Sequence, residues 1–444
     1  MTYGYIIAKF SSKSLQDNHI RDTIFLIQPR RRPITGENPM PLGSNKILES
    51  GRPLIYEVSN FDSLGVGTPQ IRRGDALRTL VTSLSGFQKE ALVASCRSGK
   101  TWRMVSDEGK YLNGYDAAPP PLSFLTVGMV ASYMNEITAL AQRDGVEIRH
   151  LKLTLDNYYT MTGSMQKRTM IGGAEPVELQ VEIDCDLEGA ALNQFLMNAV
   201  HASPLNGLMR GEHHSLFKLS RNGKEIAPLK VGQLDADLLP DPADAVQKAK
   251  AGEIGENLLI HLGQTTKKNV QGGTEKAASS LSEHQDRRLN IAAVATLRAD
   301  GMKEIRQQLY SPHGKEWLFL SEEAEVDGGK ARAPDAASYI SAGIGFCFMT
   351  QFGRLVPMLG LDLPEYQIIQ DTHFSLGGAS GGTGKAGEAD PVETHVFLTT
   401  NESDDVAREM LDLSEQTCFL HAFCRTDLKT KLKTSLRDVQ SLTA

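Results

Sequence analysis

The chain has 444 residues, of which 40% are hydrophobic, 23% charged and 6% aromatic; that is more than one hydrophobic core usually supports, so a globular protein of at least two domains is expected. A formal charge of −7 disfavours electrostatic capture of nucleic acid or of an anionic membrane surface, which needs clustered lysine and arginine. No segment reaches the ~18 consecutive apolar residues of a membrane span, and Met1 to Phe10 lacks the basic-then-apolar order of a signal peptide, so a cytoplasmic protein without nucleic-acid or membrane partners is expected.

In chain order, residues 1–55 read as an N-terminal extension, with short strands at Tyr3 to Phe10 and Thr23 to Ile27 and a loop from Pro33 to Ser44. The basic run Arg30-Arg31-Arg32 reads as a solvated turn before Pro33. A first domain over 56–231 follows. Residues 232–286 are acidic and proline-bearing, then rich in Lys, Gly, Ser and Thr, and read as a linker with one short helix near Ala243 to Ala251. A second domain takes 287–444. It opens with strands at Ile291 to Arg298, Ile305 to Tyr310 and Trp317 to Leu320. A long apolar helix after Pro334 runs through Cys347 to about Leu359, with proline suited to a helix start. Strands at Tyr366 to Leu376 and Val392 to Thr399 come next, then a helix from about Ser403 toward Cys418. Strands, buried helix, strand hairpin and helix predict an α+β layered fold. The run Gly377 to Lys385 fails as a phosphate loop, because Ala379 and Ala386 stand where such a loop needs glycine and a hydroxyl; it reads as a hairpin tip.

The same pattern is written twice. Gly99-Lys100-Thr101-Trp102 with Ser106 and Glu108 returns 215 residues later as Gly314-Lys315-Glu316-Trp317 with Ser321 and Glu323. Pro119, Gly128 and Met134 fall on Pro334, Gly343 and Met349, and Ala174 to Glu178 falls on Ala389 to Glu393. A period this long describes two whole domains rather than a solenoid. In that register Ser132 aligns with Cys347 and Ser203 with Cys418. One half carries a thiol pair and the other carries hydroxyls in its place.

Five cysteines (Cys96, Cys185, Cys347, Cys418, Cys424) do not make a disulfide framework, and a reducing compartment keeps them as thiols, so any disulfide is transient. Cys424 reads as a structural thiol, and Cys96 and Cys185, without counterparts in the repeat, read as core or surface thiols. His373, His395 and His421 are candidate bases. With carboxylates at no ligand spacing they make no metal site, and no cofactor is expected.

The Ala333-Pro334 turn, the apolar stretch Gly343-Ile344-Gly345-Phe346 leading to Cys347, and Cys418 after a strand hairpin and a helix resemble the OsmC/Ohr family of osmotically inducible and organic-hydroperoxide-resistance proteins. The resemblance covers both halves. It implies two tandem OsmC-like domains, each with antiparallel strands around a long buried helix, forming an internal pseudo-dimer in place of the family's intertwined homodimer. Further oligomerisation stays open. It also implies thiol peroxidation, in which Cys347 attacks an organic hydroperoxide, the sulfenic acid condenses with Cys418, and an external dithiol reduces the disulfide.

A peroxidatic thiol needs a nearby cation, because an unperturbed thiol is mostly protonated at neutral pH. In relatives an arginine of the N-terminal strands supplies it; Arg306 is the match taken here, with Arg298, Arg287 and Arg288 as alternatives. The family glutamate that precedes the cysteine is absent, since Ala337 and Ser338 stand there, and Asp335 is the acid taken as its substitute. Two other readings stay open: Cys347 as nucleophile toward an electrophilic carbon with a histidine base, and a non-catalytic protein that binds an apolar ligand.

Overall fold

Two helices of 24 residues, α2 (Pro121–Asp144) and α6 (Ala336–Leu359), run side by side through the centre of the protein. Their sequences are apolar around most of the circumference, as buried helices are, and each ends on a left-handed glycine, Gly145 at φ 72° and Gly360 at φ 69°. They cross at two glycines. A Cβ on Gly128 would lie 2.6 Å from the Ala336 carbonyl oxygen and from Ile340, and one on Gly343 would lie 2.7 Å from the Leu125 nitrogen. The contact is reciprocal, because Leu125 and Ile340 are themselves 215 positions apart. By length and composition α2 is apolar enough to cross a membrane, which amends the expectation that no such segment exists; 83% of its most apolar window is buried inside the protein.

The computed structural model describes residues 43–253, 255–264 and 279–436, all within one unit spanning Gly36–Ala444. The strands expected at Tyr3 to Phe10 and Thr23 to Ile27, and the run Arg30 to Arg32, lie outside the described residues. A short helix α1 (Lys46–Ser50) is the first described element.

Two mixed sheets flank the helices. The first runs β1 (Ile55–Glu57), β4 (Thr101–Ser106), β3 (Lys89–Ser95), β2 (Gly74–Ser83), β15 (Glu365–Ser375), β16 (Glu393–Thr399), β8 (Leu216–Arg221) and β10 (Gly232–Gln233), with β9 (Lys224–Ile226) on β8. The second runs β11 (Leu259–Gln264), β14 (Lys315–Ser321), β13 (Lys303–Ser311), β12 (His284–Leu297), β5 (Ile148–Ser164), β7 (Val177–Cys185) and β17 (Thr430–Leu436), with β6 (Ile171–Ala174) on β5. α6 packs on β2, β3 and β15 of the first sheet and α2 on β12, β5 and β13 of the second. The layers are thus sheet, α6, α2, sheet, an α+β arrangement.

Each sheet takes strands from both halves of the chain. β2 pairs with β15, and β5 with β12. The outer parallel pairs match at the repeat offset, Glu178 facing Lys431 in one sheet and Glu393 facing Leu216 in the other. The 56–231 and 287–444 segments therefore share one core in which Phe124 rings meet Phe319 and Phe346. The segment 232–286 is more than a linker, because the hydrogen-bonding edges beside it recruit it: β10 joins β8, β11 joins β14, β12 begins at His284, and the short helix is α5 (Ala243–Lys248).

The remaining helices are α3 (Gly189–Ala202), α4 (Pro204–Arg210), α7 (Asp404–Thr417) and α8 (Phe419–Arg425). The glycine-rich run lies between β15 and β16. There the Glu136 carboxylate of α2 accepts from the Ala379 and Ser380 N–H groups at 2.8 and 3.3 Å, so the loop amides already hold an anion from the protein itself.

Candidate active site

Cys347 is the twelfth residue of α6, roughly 16 Å from its start, beyond the reach of the helix N-terminal field. Cys418 ends α7 and opens α8, where its sulfur accepts the His421 N–H at 3.5 Å. The two sulfurs are 3.5 Å apart and both side chains are buried. A disulfide needs ~2 Å, a closure within the reach of small side-chain rotations. Burial is the main cause that pushes the Cys418 thiol well above its ordinary range, and Cys347 adds to it. The serine counterparts make the same contact, Ser132 Oγ to Ser203 Oγ at 2.7 Å.

The first half of the chain holds Cys418 in place. A Cβ on Gly172 of β6 would lie 2.7 Å from the Thr417 carbonyl, Gln416 Nε2 donates to the Met170 carbonyl at 2.6 Å, and Arg425 donates to the Gly172 carbonyl at 3.3 Å.

A cavity of about 30 Å³ opens beside Cys347, lined by Glu108, Tyr111, Leu122, Arg287 and Arg354 among others; this is the volume share of one water molecule. Cys347, Thr350, Gln351 and Arg354 follow one face of α6 at helical spacing. Arg354 is 1% exposed; it donates to Gln351 Oε1 at 2.7 Å and to the Ser280 carbonyl at 3.0 Å. Burial, then Arg287, pushes its guanidinium down to about 9. Arg287 at the start of β12 is pushed down to about 10 by burial. Lys89 of β3 is wholly interior and lowered by burial; its Nζ donates to the Phe87 carbonyl at 2.6 Å and to Thr350 Oγ1 at 2.8 Å. The Thr350 hydroxyl donates onward to Glu108 at 2.9 Å, and Tyr111 donates to the same carboxylate at 2.8 Å. Burial raises Glu108. Two guanidiniums and a carboxylate therefore line the cavity beside the thiol, and the Lys89 ammonium adjoins it through Thr350; nearby positive charge of this kind favours a thiolate over a thiol.

Of the residues expected at this site, Arg306 and Asp335 are elsewhere. Arg306 lies on β13 with 58% of its side chain exposed, paired with Glu316, because strand alternation turns it away from the helices. Asp335 caps α6, accepting the Ser338 N–H at 2.6 Å, some twelve residues before Cys347, and so cannot orient a cation there. Arg298 pairs with Glu256 and Asp300, and Arg288 lies over the Tyr158 ring and pairs with Glu175. Of the four arginines weighed, Arg287 lines the cavity.

Sequence reasoning missed Lys89, Glu108, Tyr111 and Arg354. Glu108 stands in the repeated motif, where it served only to mark the register. Arg354 carried a readable signal, a lone arginine in an otherwise apolar helix seven residues beyond the cysteine. His373 and His395 lie on β15 and β16 in the first sheet. His421 is buried against Phe348 and Phe217 with both ring nitrogens unpartnered. Cys424 is buried, and burial pushes its thiol up to about 12.

At the equivalent place beside Ser132, a cavity of about 610 Å³ is lined by Asp75, Arg97, Glu136, Glu323 and Asp327 among others. There Asn135, Glu136 and Ala139 replace Thr350, Gln351 and Arg354. Among the described residues no group of three His, Cys, Asp or Glu side chains could hold a metal ion.

Residues 328–433 match the family model described as OsmC-like protein. This part of the chain is an OsmC-like domain. It contains both Cys347 and Cys418 and most of α6. The crystal structure of an OsmC-like hydroperoxide resistance protein from Jannaschia sp. CCS1 is similar at 16% identity, over 30% of this chain and 81% of that one, with a TM-score of 0.18, which is too slight to carry an argument. No curated protein matches the chain.

Proposed function

We propose that the protein is a thiol-dependent peroxidase of organic hydroperoxides, built as a tandem pair of OsmC-like halves that form an internal pseudo-dimer with one working site. The observation that carries this reading is the buried contact of Cys347 and Cys418 at 3.5 Å, beside two guanidiniums and an ammonium. The Cys347 thiolate attacks the distal peroxide oxygen and the O–O bond breaks. The alkoxide leaves and takes a proton to become an alcohol, and Cys347 becomes a sulfenic acid. The Cys418 sulfur then displaces hydroxide from that sulfenic acid, water is released and the disulfide forms. An external dithiol returns both thiols, as expected in a cytoplasmic, reducing compartment. Glu108, contributed by the other half, is the carboxylate beside the cavity, where it receives Thr350 and Tyr111. Ser132 and Ser203 form neither thiolate nor disulfide, so the first half acts by building the site.

The test is to mix the reduced protein with cumene hydroperoxide and count free thiols. Loss of two thiols per chain for one peroxide, reversed by dithiothreitol and absent in Cys347→Ser, is the expected result. Unchanged thiol content would overturn the reading.

A further inference from the structure

The Cys347 cavity contains donors that a neutral hydroperoxide does not use. Arg354 is 1% exposed, and the Nε–H groups of both Arg354 and Arg287 are buried without an acceptor. The acceptors nearby are already engaged. Glu108 receives Thr350 and Tyr111, Gln351 Oε1 receives Arg354, and Ser280 receives Arg354 at its carbonyl and Arg287 at its hydroxyl. Among the described residues, neither guanidinium has a carboxylate at ion-pair distance. Lys89 has nearer company, with Asp107 and Glu108 both acting on it.

Buried donors of this kind are normally partnered, and a planar guanidinium is suited to carboxylate recognition. The peroxide oxygens, bonded or about to be bonded at the Cys347 sulfur, occupy one end of the cavity. The Arg354 backbone is roughly 10 Å along the helix from that point. In the other half Ala139 stands at this position, so the donor accompanies the thiols.

Resting on the peroxidase reading, we infer that Arg354 and Arg287 form an anion subsite, and that the substrate is a hydroperoxide carrying a carboxylate which these two residues receive while the peroxide meets Cys347. In the closed form the cavity has room for about one water, so a substrate enters as Leu122, Leu309, Pro312 and Phe419 part around its hydrocarbon.

The experiment compares a fatty-acid hydroperoxide with its methyl ester, below the concentration at which either aggregates. A kcat/KM at least tenfold higher for the acid, with the ratio falling toward one in Arg354→Gln and in Arg287→Gln, and partly kept in Arg354→Lys, supports the subsite. Equal use of acid and ester by the unmodified protein overturns it, as does a preference that both glutamine variants retain. A second measurement needs no turnover and covers variants that fold poorly: octanoate and octanol are compared for slowing alkylation of Cys347 in the unmodified protein. Protection by octanoate alone supports the subsite even where no hydroperoxide is consumed, in which case only the peroxidase reading falls. Equal protection by both, or by neither, overturns the subsite even where peroxide is consumed.

Discussion

Ser132 Oγ lies 2.7 Å from Ser203 Oγ, and 215 residues further on Cys347 and Cys418 repeat that contact with sulfur at 3.5 Å. The backbone geometry that brings the pair together is thus present twice, and the chemistry of the side chains alone separates the two places. Cys418→Ser should leave a sulfenic acid at Cys347 that dimedone traps, with one thiol lost per peroxide in place of two. Mass spectrometry of the adduct checks this.

Installing thiols in the other half is the converse. Ser132→Cys with Ser203→Cys should give a second disulfide under diamide, since the contact is already made. It should add less than a tenth to hydroperoxide turnover, because Ala139 replaces Arg354 and the surrounding cavity of about 610 Å³ is acidic and open. Turnover by this variant with Cys347→Ser added measures the new pair alone.

The helix crossing predicts a stability effect. Gly343→Ala would improve helix propensity by up to about 1 kcal/mol, but its methyl group would meet the Leu125 backbone nitrogen at 2.7 Å, which no side-chain rotation relieves. A net loss of about 1–3 kcal/mol is expected, read as a lower urea midpoint. Gly128→Ala should behave alike, because it meets the Ala336 carbonyl oxygen at 2.6 Å.

Asp335 makes stability fall as pH rises from acid to neutral. Burial first, then Glu323 and Asp75, raises its carboxyl to about 8 in the folded protein, against about 3.9 unfolded. The folded state holds the proton more tightly, so the stability it contributes is complete below pH ~4 and is lost as pH rises toward 8. Asp335→Asn keeps an N-cap acceptor for the Ser338 N–H and cannot ionise. Its melting temperature should exceed that of the parent by a margin that grows from pH 5 to pH 8.

His421 acts in the opposite direction. Burial, then Arg425, pushes its imidazole down to about 3, against about 6.5 unfolded. The stability of the neutral ring is present above pH ~6.5 and lost as pH falls toward 3. His421→Leu removes that loss and two unpartnered nitrogens, so acid unfolding followed by circular dichroism should move to lower pH. An unchanged midpoint would place the acid-sensitive group elsewhere.

Much of the secondary structure could be read from the chain. The helix through Cys347 begins just past Pro334 and ends at Leu359, because a cap, an apolar run and a closing glycine are local signals. The Cys347 and Cys418 contact is implied by the family resemblance, the repeat offset showing that serines hold both places in the other half. The identity of strand partners does not, since period-two alternation is the same whether β15 pairs within its half or with β2. The arginine failed for a related reason. The turn between β13 and β14 is one residue longer than that between β3 and β4, Gln308 facing Glu316 where Ala94 faces Thr101. Strands before it therefore align at 214 rather than 215, and inward and outward positions on them exchange. Lys89, Glu108 and Tyr111 reach Cys347 from the distant half, and no spacing along the sequence encodes that approach.

The strand exchange between β2 and β15 and between β5 and β12 also sets what substitution can do to this molecule. In an assembly of two identical chains every change appears at both sites at once, so a residue that harms one and helps the other has no net advantage. Here positions 132 and 347 belong to the same polypeptide and vary independently. One cavity can stay narrow, arginine-lined and thiol-bearing while its counterpart becomes wide and mainly acidic, and every molecule leaves the ribosome with one of each, in fixed proportion.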